Sequence, residues 1–178
     1  MLCMAWFDRQ VGFLVLLAIS LSTDALDGYL ARRLKWQSEF GAILDSWGDF
    51  ATYITVALGA WWLWPDIIRR EAIFVWLALG AYLVPIAIGL AKYRRLTSYH
   101  TWAAKLSAVL MSIAALLLFL TDIAWPFRCA ALIQALEAAE EIAITFVMPK
   151  WESNIPTLWH ARQKIKLKEV KDRSGPDS

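Results

Sequence analysis

The feature that most constrains this chain is the recurrence of apolar stretches long enough to cross a bilayer, roughly residues 10–33, 42–64, 72–91, 104–121 and 123–148. A spanning helix needs about 20 mostly apolar residues. Hydrocarbon offers a backbone no hydrogen-bond partner, and runs of this length and continuity select helices over strands. Composition agrees, with 59% hydrophobic residues and 11 tryptophans in 178 residues and a mean hydropathy of +0.47. The expected fold is all-α, a polytopic transmembrane bundle of about five membrane helices. It occupies residues 1–148 as one domain, followed by a basic cytoplasmic C-terminal tail over 149–178.

The first stretch resembles the apolar region of a signal peptide until Asp24 and Asp27. Asp8 beside Arg9, and the lack of a small-residue cleavage site before the aspartates, favour a retained helix. If that helix runs inward, Arg32, Arg33, Lys35, Lys92, Arg94, Arg95, Lys105 and the seven basic residues from Lys150 to Arg173 are cytoplasmic, leaving Arg9, Arg69, Arg70 and Arg128 outside. This distribution obeys the positive-inside rule, and it sets Trp61, Trp62, Trp64 and Trp125 at the outer interface. The segment Ala161 to Arg173 reads as a basic surface helix, serving as a topology anchor or as a lipid-binding element. A net charge of +2 excludes nucleic acid as the expected partner, and Cys3 and Cys129 lack ligand spacing and read as unpaired thiols.

Within this apolar chain, four carboxylates fall at or near membrane depth. Asp24 and Asp27 are three apart, and Asp45 and Asp49 four apart, so each pair shares a helix face. An acid in the hydrocarbon costs about 2.5–3.5 kcal/mol on insertion scales. Two helices joined by a short turn bring the pairs together, where Arg32 and Arg33 offset only part of the charge. A divalent cation removes the excess, and oxygen ligands without nearby histidine or cysteine favour Mg2+ or Mn2+. Gly28 and Gly41 each cost helix stability of about 1 kcal/mol relative to alanine. They leave room for a nucleotide or phosphate, or for tight helix packing.

The pattern Asp24-x-x-Asp27-Gly28-x-x-Ala31-Arg32, eight residues, then Gly41-x-x-x-Asp45-x-x-x-Asp49 resembles the signature of the CDP-alcohol phosphatidyltransferase family, with all eight fixed positions at family spacing. The resemblance implies transfer of a substituted phosphate from a CDP-linked donor, usually CDP-diacylglycerol, to an acceptor alcohol with release of CMP, as in phospholipid biosynthesis. It implies Asp24, Asp27 and Asp45 as principal ligands of two divalent ions, with Asp49 at the metal site and acting as general base. Gly28, Ala31 and Gly41 are implied to give the cytidine and diphosphate room, and Arg32 to contact donor phosphate. A homodimer in the cytoplasmic (inner) membrane, with a polar cavity facing the cytoplasm, is expected on the same ground. Members of the family usually begin with another membrane helix, carrying an Asn, Thr and Arg motif that helps hold the nucleotide. No counterpart of that helix precedes Gln10, so either the start is truncated or the bundle has five helices.

Lys105 resembles the lysine that family members place at the start of this helix, and Arg94 and Arg95 are near it in sequence. Three cations suit a phosphorylated acceptor, glycerol 3-phosphate first and an inositol phosphate second. Their other reading is enforcement of topology. Glu137, Glu140 and Glu141 are costly in a membrane segment and receive no assignment. Two further readings of the chain stand beside the enzyme. One is an ion-coupled transporter whose aspartates bind the coupling ion; the other is an inactive truncated relative acting as a membrane assembly component.

Overall fold

A computed structural model of the chain describes residues 1–7, 9–33, 39–94 and 102–148, together with Trp159 and Gln163. Among the described residues there are helices and no strands. The elements are α1 (Leu2–Trp6), α2 (Gln10–Arg33), α3 (Glu39–Leu63), α4 (Pro65–Arg70), α5 (Ala72–Tyr93), α6 (Trp102–Thr121) and α7 (Trp125–Val147). The five long helices coincide with the five apolar stretches.

Two short helices were not expected. The first, α4, follows from local chemistry: Pro65 stands at its start, Asp66 in its first turn, and Arg69 and Arg70 in its last. Proline needs no helix donor there, and the charges complement the helix dipole. The second, α1, packs on α2 and α3. Of the described helices, α5 is long and apolar enough to cross a membrane, with mean hydropathy 2.3. The stretches Gln10–Thr23 and Leu106–Thr121 are apolar but shorter.

The chain divides into two compact units. The first comprises Met1–Ala72 with Ser112–Pro126, and the second Ile73–Met111 with Phe127–Ser178. In the first, Ala5, Phe13, Leu17 and Leu63 form a buried cluster, with Leu21, Val56, Trp64 and Leu116 packed against it. Trp61 and Trp62 are exposed at 61% and 58%. Trp64 departs from them by packing inward: it stacks on Phe119 at 4.7 Å between ring centroids and meets Phe13 edge-on at 6.0 Å. In the second unit the buried positions include Ala78, Gly89, Ala130, Ala131 and Ala138. Small residues of this kind let apolar helices approach closely. Cys3 and Cys129 are free and exposed.

Candidate functional site

The local geometry begins with the way α2 meets α3. The ring of Phe13 lies against Gly59, where its Cζ stands 2.5 Å from the position a Cβ would take. Three residues before Phe13, the Gln10 Nε2 amide donates to the carbonyl of Leu63, the last residue of α3, at 3.1 Å. The start of α2 therefore lies beside the end of α3. With only residues 34–38 between the two helices, they form an antiparallel hairpin.

This register can be counted toward the closed end. Eleven residues on from Phe13 and eleven back from Gly59 stand Asp24 and Gly48; fourteen gives Asp27 and Asp45, and eighteen gives Ala31 and Gly41. At about 3.6 residues per turn these steps are close to three, four and five turns. In straight helices these backbone positions keep to the face that each helix turns toward the other at Phe13 and Gly59. Asp49 follows Gly48 by one residue. Five of the eight motif positions, Asp24, Asp27, Ala31, Gly41 and Asp45, thus fall into this count, which starts from a contact outside the motif.

The described side chains show how open this end is. Gly48 is exposed, and a Cβ built there has nothing within 4 Å. Gly41 and Asp49 are also exposed. Trp47, 55% exposed, meets Phe50 edge-on at 6.1 Å. Just before the acids in α2, the Ser22 and Thr23 hydroxyls donate to the carbonyls of Ala18 and Ile19 at 2.7 and 2.8 Å. Such bonds satisfy polar groups within an apolar helix and tend to bend it.

Asp24, Asp27, Gly28, Ala31 and Arg32 belong to α2, Asp45 to α3 and Lys105 to α6. The backbones of these residues are helical, and their side chains lie outside the described ones. Arg95 lies outside the described residues altogether. Among described residues no group of three or more metal-ligating side chains is gathered. A shallow depression lined by Met4, Arg9, Gln10, Val11 and Gly12 lies at the start of α2, the end of the hairpin remote from the aspartates.

In the second unit, Arg94 is exposed and adopts a left-handed conformation, φ 54°, just past the end of α5. Before it, Lys92 Nζ donates to the carbonyls of Thr145 at 2.7 Å, Met148 at 2.9 Å and Phe146 at 3.4 Å. The Tyr93 hydroxyl, with one proton to donate, lies within hydrogen-bond distance of Met148 O at 2.8 Å and Thr145 O at 3.0 Å. A helix leaves its last four carbonyls without internal partners, and a cation there also meets the negative end of the dipole. Lys92, counted in the sequence as a topology determinant, is therefore also the cap of α7. Nothing in spacing announces this, because the two partners are more than fifty residues apart. Glu137, Glu140 and Glu141 are half-buried on α7.

A family model described as CDP-alcohol phosphatidyltransferase matches residues 1–147. No curated protein and no solved structure matches the chain.

Proposed function

Because the chain belongs to the CDP-alcohol phosphatidyltransferase family, we propose that it transfers a substituted phosphate from CDP-diacylglycerol to a phosphorylated alcohol, glycerol 3-phosphate in the first instance, within phospholipid synthesis. The observation that carries this reading is the hairpin register. Counted along straight helices from Phe13 on Gly59, Asp24 falls level with Gly48 and Asp27 with Asp45, with Asp49 next to Gly48. That count supports a reading in which the two halves of the family motif act together.

The donor set is made of carboxylate oxygens, and Gly48, between Asp45 and Asp49 in the sequence, is exposed with nothing within 4 Å of an added Cβ. Both fit a hard divalent ion. Asp24, Asp27, Asp45 and Asp49 would hold Mg2+ or Mn2+, two ions by family analogy, which when bound polarise the diphosphate and neutralise charge on the departing CMP. The chain's own residues do the rest. Gly28, Ala31 and Gly41 leave space for the nucleotide and diphosphate, and Arg32 pairs with a phosphate oxygen. The exposed Asp49 carboxylate accepts the proton of the acceptor hydroxyl. The hydroxyl oxygen forms its bond to the phosphorus that carries the diacylglycerol, and the bond from that phosphorus to the oxygen of CMP breaks. The proton leaves Asp49 for solvent. Arg94, Arg95 and Lys105 bind the phosphate of the acceptor.

A membrane setting is supported by α5 and by the large apolar side chains left uncovered, among them Val11 at 75%, Ile73 at 80% and Leu136 at 74% exposure. Within this reading the bundle, residues 1–148, spans the inner membrane as a homodimer with its site facing the cytoplasm, and residues 149–178 form the basic cytoplasmic tail. The deciding experiment is CMP release by purified protein in detergent with CDP-diacylglycerol and Mg2+ or Mn2+, screened over glycerol 3-phosphate, inositol phosphate, inositol and serine. Release that needs one acceptor and Asp49 establishes reaction and substrate. Silence with every acceptor, or full turnover by Asp49→Asn, overturns the reading.

A further inference from the structure

At the start of α2 a depression of about 640 Å3 is lined by Met4, Arg9, Gln10, Val11 and Gly12, a volume within the range of ordinary ligand sites. Gly12 lets α1 approach it: the Met4 sulfur lies 3.1 Å from where a Cβ at 12 would stand. The Gln10 amide is fixed there by its donation to Leu63 O at 3.1 Å, and still has an oxygen and a second N–H to offer. The cation of the depression is Arg9, which is exposed. Of the other three basic residues that the charge pattern sets outside, Arg69 meets Asp66 at 3.9 Å, Arg70 is bound to Glu71 and Asp122, and Arg128 lies over the Phe74 ring at 5.6 Å. Among the described residues Arg9 pairs with no carboxylate; Asp8 lies outside them.

Val11, in the wall of the depression, is also the first residue of an apolar stripe. Val11, Val15 and Ile19 follow one another at four-residue spacing on α2 and are exposed at 75%, 51% and 55%, a track of about 12 Å on one helix face. Trp6, three residues before Arg9, meets the equally exposed Trp62 edge-on at 5.1 Å, and tryptophans at a bilayer surface sit at headgroup level. A charged recess thus opens into an uncovered apolar track. A free anion accounts for the recess and not the track, and hydrocarbon alone for the track and not the recess. We propose that this is the binding site of one anionic phospholipid, its phosphate paired with the Arg9 guanidinium and an acyl chain laid along Val11, Val15 and Ile19. A headgroup of net negative charge fits, because the described residues of the recess supply a cation and no anion. The inference rests on the membrane setting proposed above and not on the reaction. With the first helix running inward, the lipid belongs to the outer leaflet, at the end of the hairpin remote from the aspartates.

The test uses the full chain, purified and delipidated in neutral detergent, with bound lipid counted by native mass spectrometry on adding dioleoyl-phosphatidylglycerol or dioleoyl-phosphatidylcholine. The basic residues at the other end of the bundle also attract anionic lipid, so the quantity read is the difference between variants. Wild type is expected to hold one phosphatidylglycerol more than Arg9→Gln, and to hold phosphatidylcholine at that site about tenfold more weakly. Arg9→Lys should keep most of the binding, Val15→Ser should weaken it, and Arg69→Gln should behave as wild type. Melting temperatures without lipid should match wild type throughout, since all three altered positions are exposed. Equal lipid counts in wild type and Arg9→Gln would overturn the proposal, as would equal affinity for the two lipids or unchanged binding in Val15→Ser. Displacement of the lipid by inorganic phosphate would also overturn it, marking a free-anion site. Absence of CMP release bears on the functional reading alone, whereas release of the protein from membranes by alkaline carbonate would remove the membrane reading and this proposal with it.

Discussion

Arg70 holds Asp122 with both terminal nitrogens, Nη2 donating to Oδ1 at 2.7 Å and Nη1 to Oδ2 at 3.1 Å, while its Nε donates to Glu71 at 3.1 Å. Glu71 is 1% exposed, so one guanidinium joins a buried acid at the head of α5 to the residue just past α6. Bidentate geometry of this kind orders the groups it joins.

A pH dependence follows from that contact. The hydrogen bonds from Arg70 lower the Asp122 carboxyl below its ordinary value of 3.8. A depressed carboxylate contributes stability above its unfolded value and loses it as pH falls through the folded one. Melting temperature in detergent should therefore fall more steeply below about pH 4 in wild type than in Asp122→Asn, the two curves converging in acid. The difference should shrink at high salt, because the pair is exposed to solvent.

Gly59→Ala should be among the more damaging single substitutions in the first unit. The added methyl meets the Phe13 ring, itself fully buried, and overpacking of this kind costs about 1–3 kcal/mol. Thermal melting gives the loss, and Phe13→Leu in the same chain should recover part of it.

Asp45→Asn and Asp49→Asn should separate binding from proton transfer. Asp49→Asn is expected to lower the rate of CMP release about 100-fold or more while retaining a CDP-dependent rise in melting temperature. Asp45→Asn should lose both. Chelation should abolish turnover, and Mg2+ or Mn2+ should restore it.

Arg94→Ala should raise the KM for a phosphorylated acceptor about tenfold while sparing that for CDP-diacylglycerol, a division that removal of acceptor-phosphate binding alone would produce. Equal effects on both substrates would count against the assignment.

Lys92→Met should loosen the end of α7, since it removes three donations to the carbonyls of Thr145, Phe146 and Met148. The loss expected for a cation at a helix end is about 1 kcal/mol. Hydrogen exchange should quicken at the amide of Met148, which donates to Ile144 O at 2.9 Å.

Much of this was legible in the residues. Hydropathy located the five long helices, with ends shifted by three residues at most, as at Glu39 against an expected 42. Helix α4 carried its own signals in Pro65, Asp66, Arg69 and Arg70, which went unread because a six-residue helix raises no hydropathy peak. The aspartate motif could be read from spacing alone, because helix periodicity turns spacing into a shared face. The hairpin register could not. It depends on Phe13 meeting Gly59, a contact between residues forty-six apart that belong to no motif. Trp64 shared the aromatic signal of Trp61 and Trp62 and yet packs inward on Phe119, a choice made by tertiary contacts.

The seat of Phe13 on Gly59 also has a mechanical meaning. Two helices held closely at one point behave as a pair of levers about a fulcrum. Gly48 lies about 16 Å along α3 from that fulcrum at 1.5 Å per residue. A change of thickness at Gly59 tilts the arms, and the tilt arrives enlarged three turns away. Substitutions at this one seat should therefore be felt along the whole length of the hairpin.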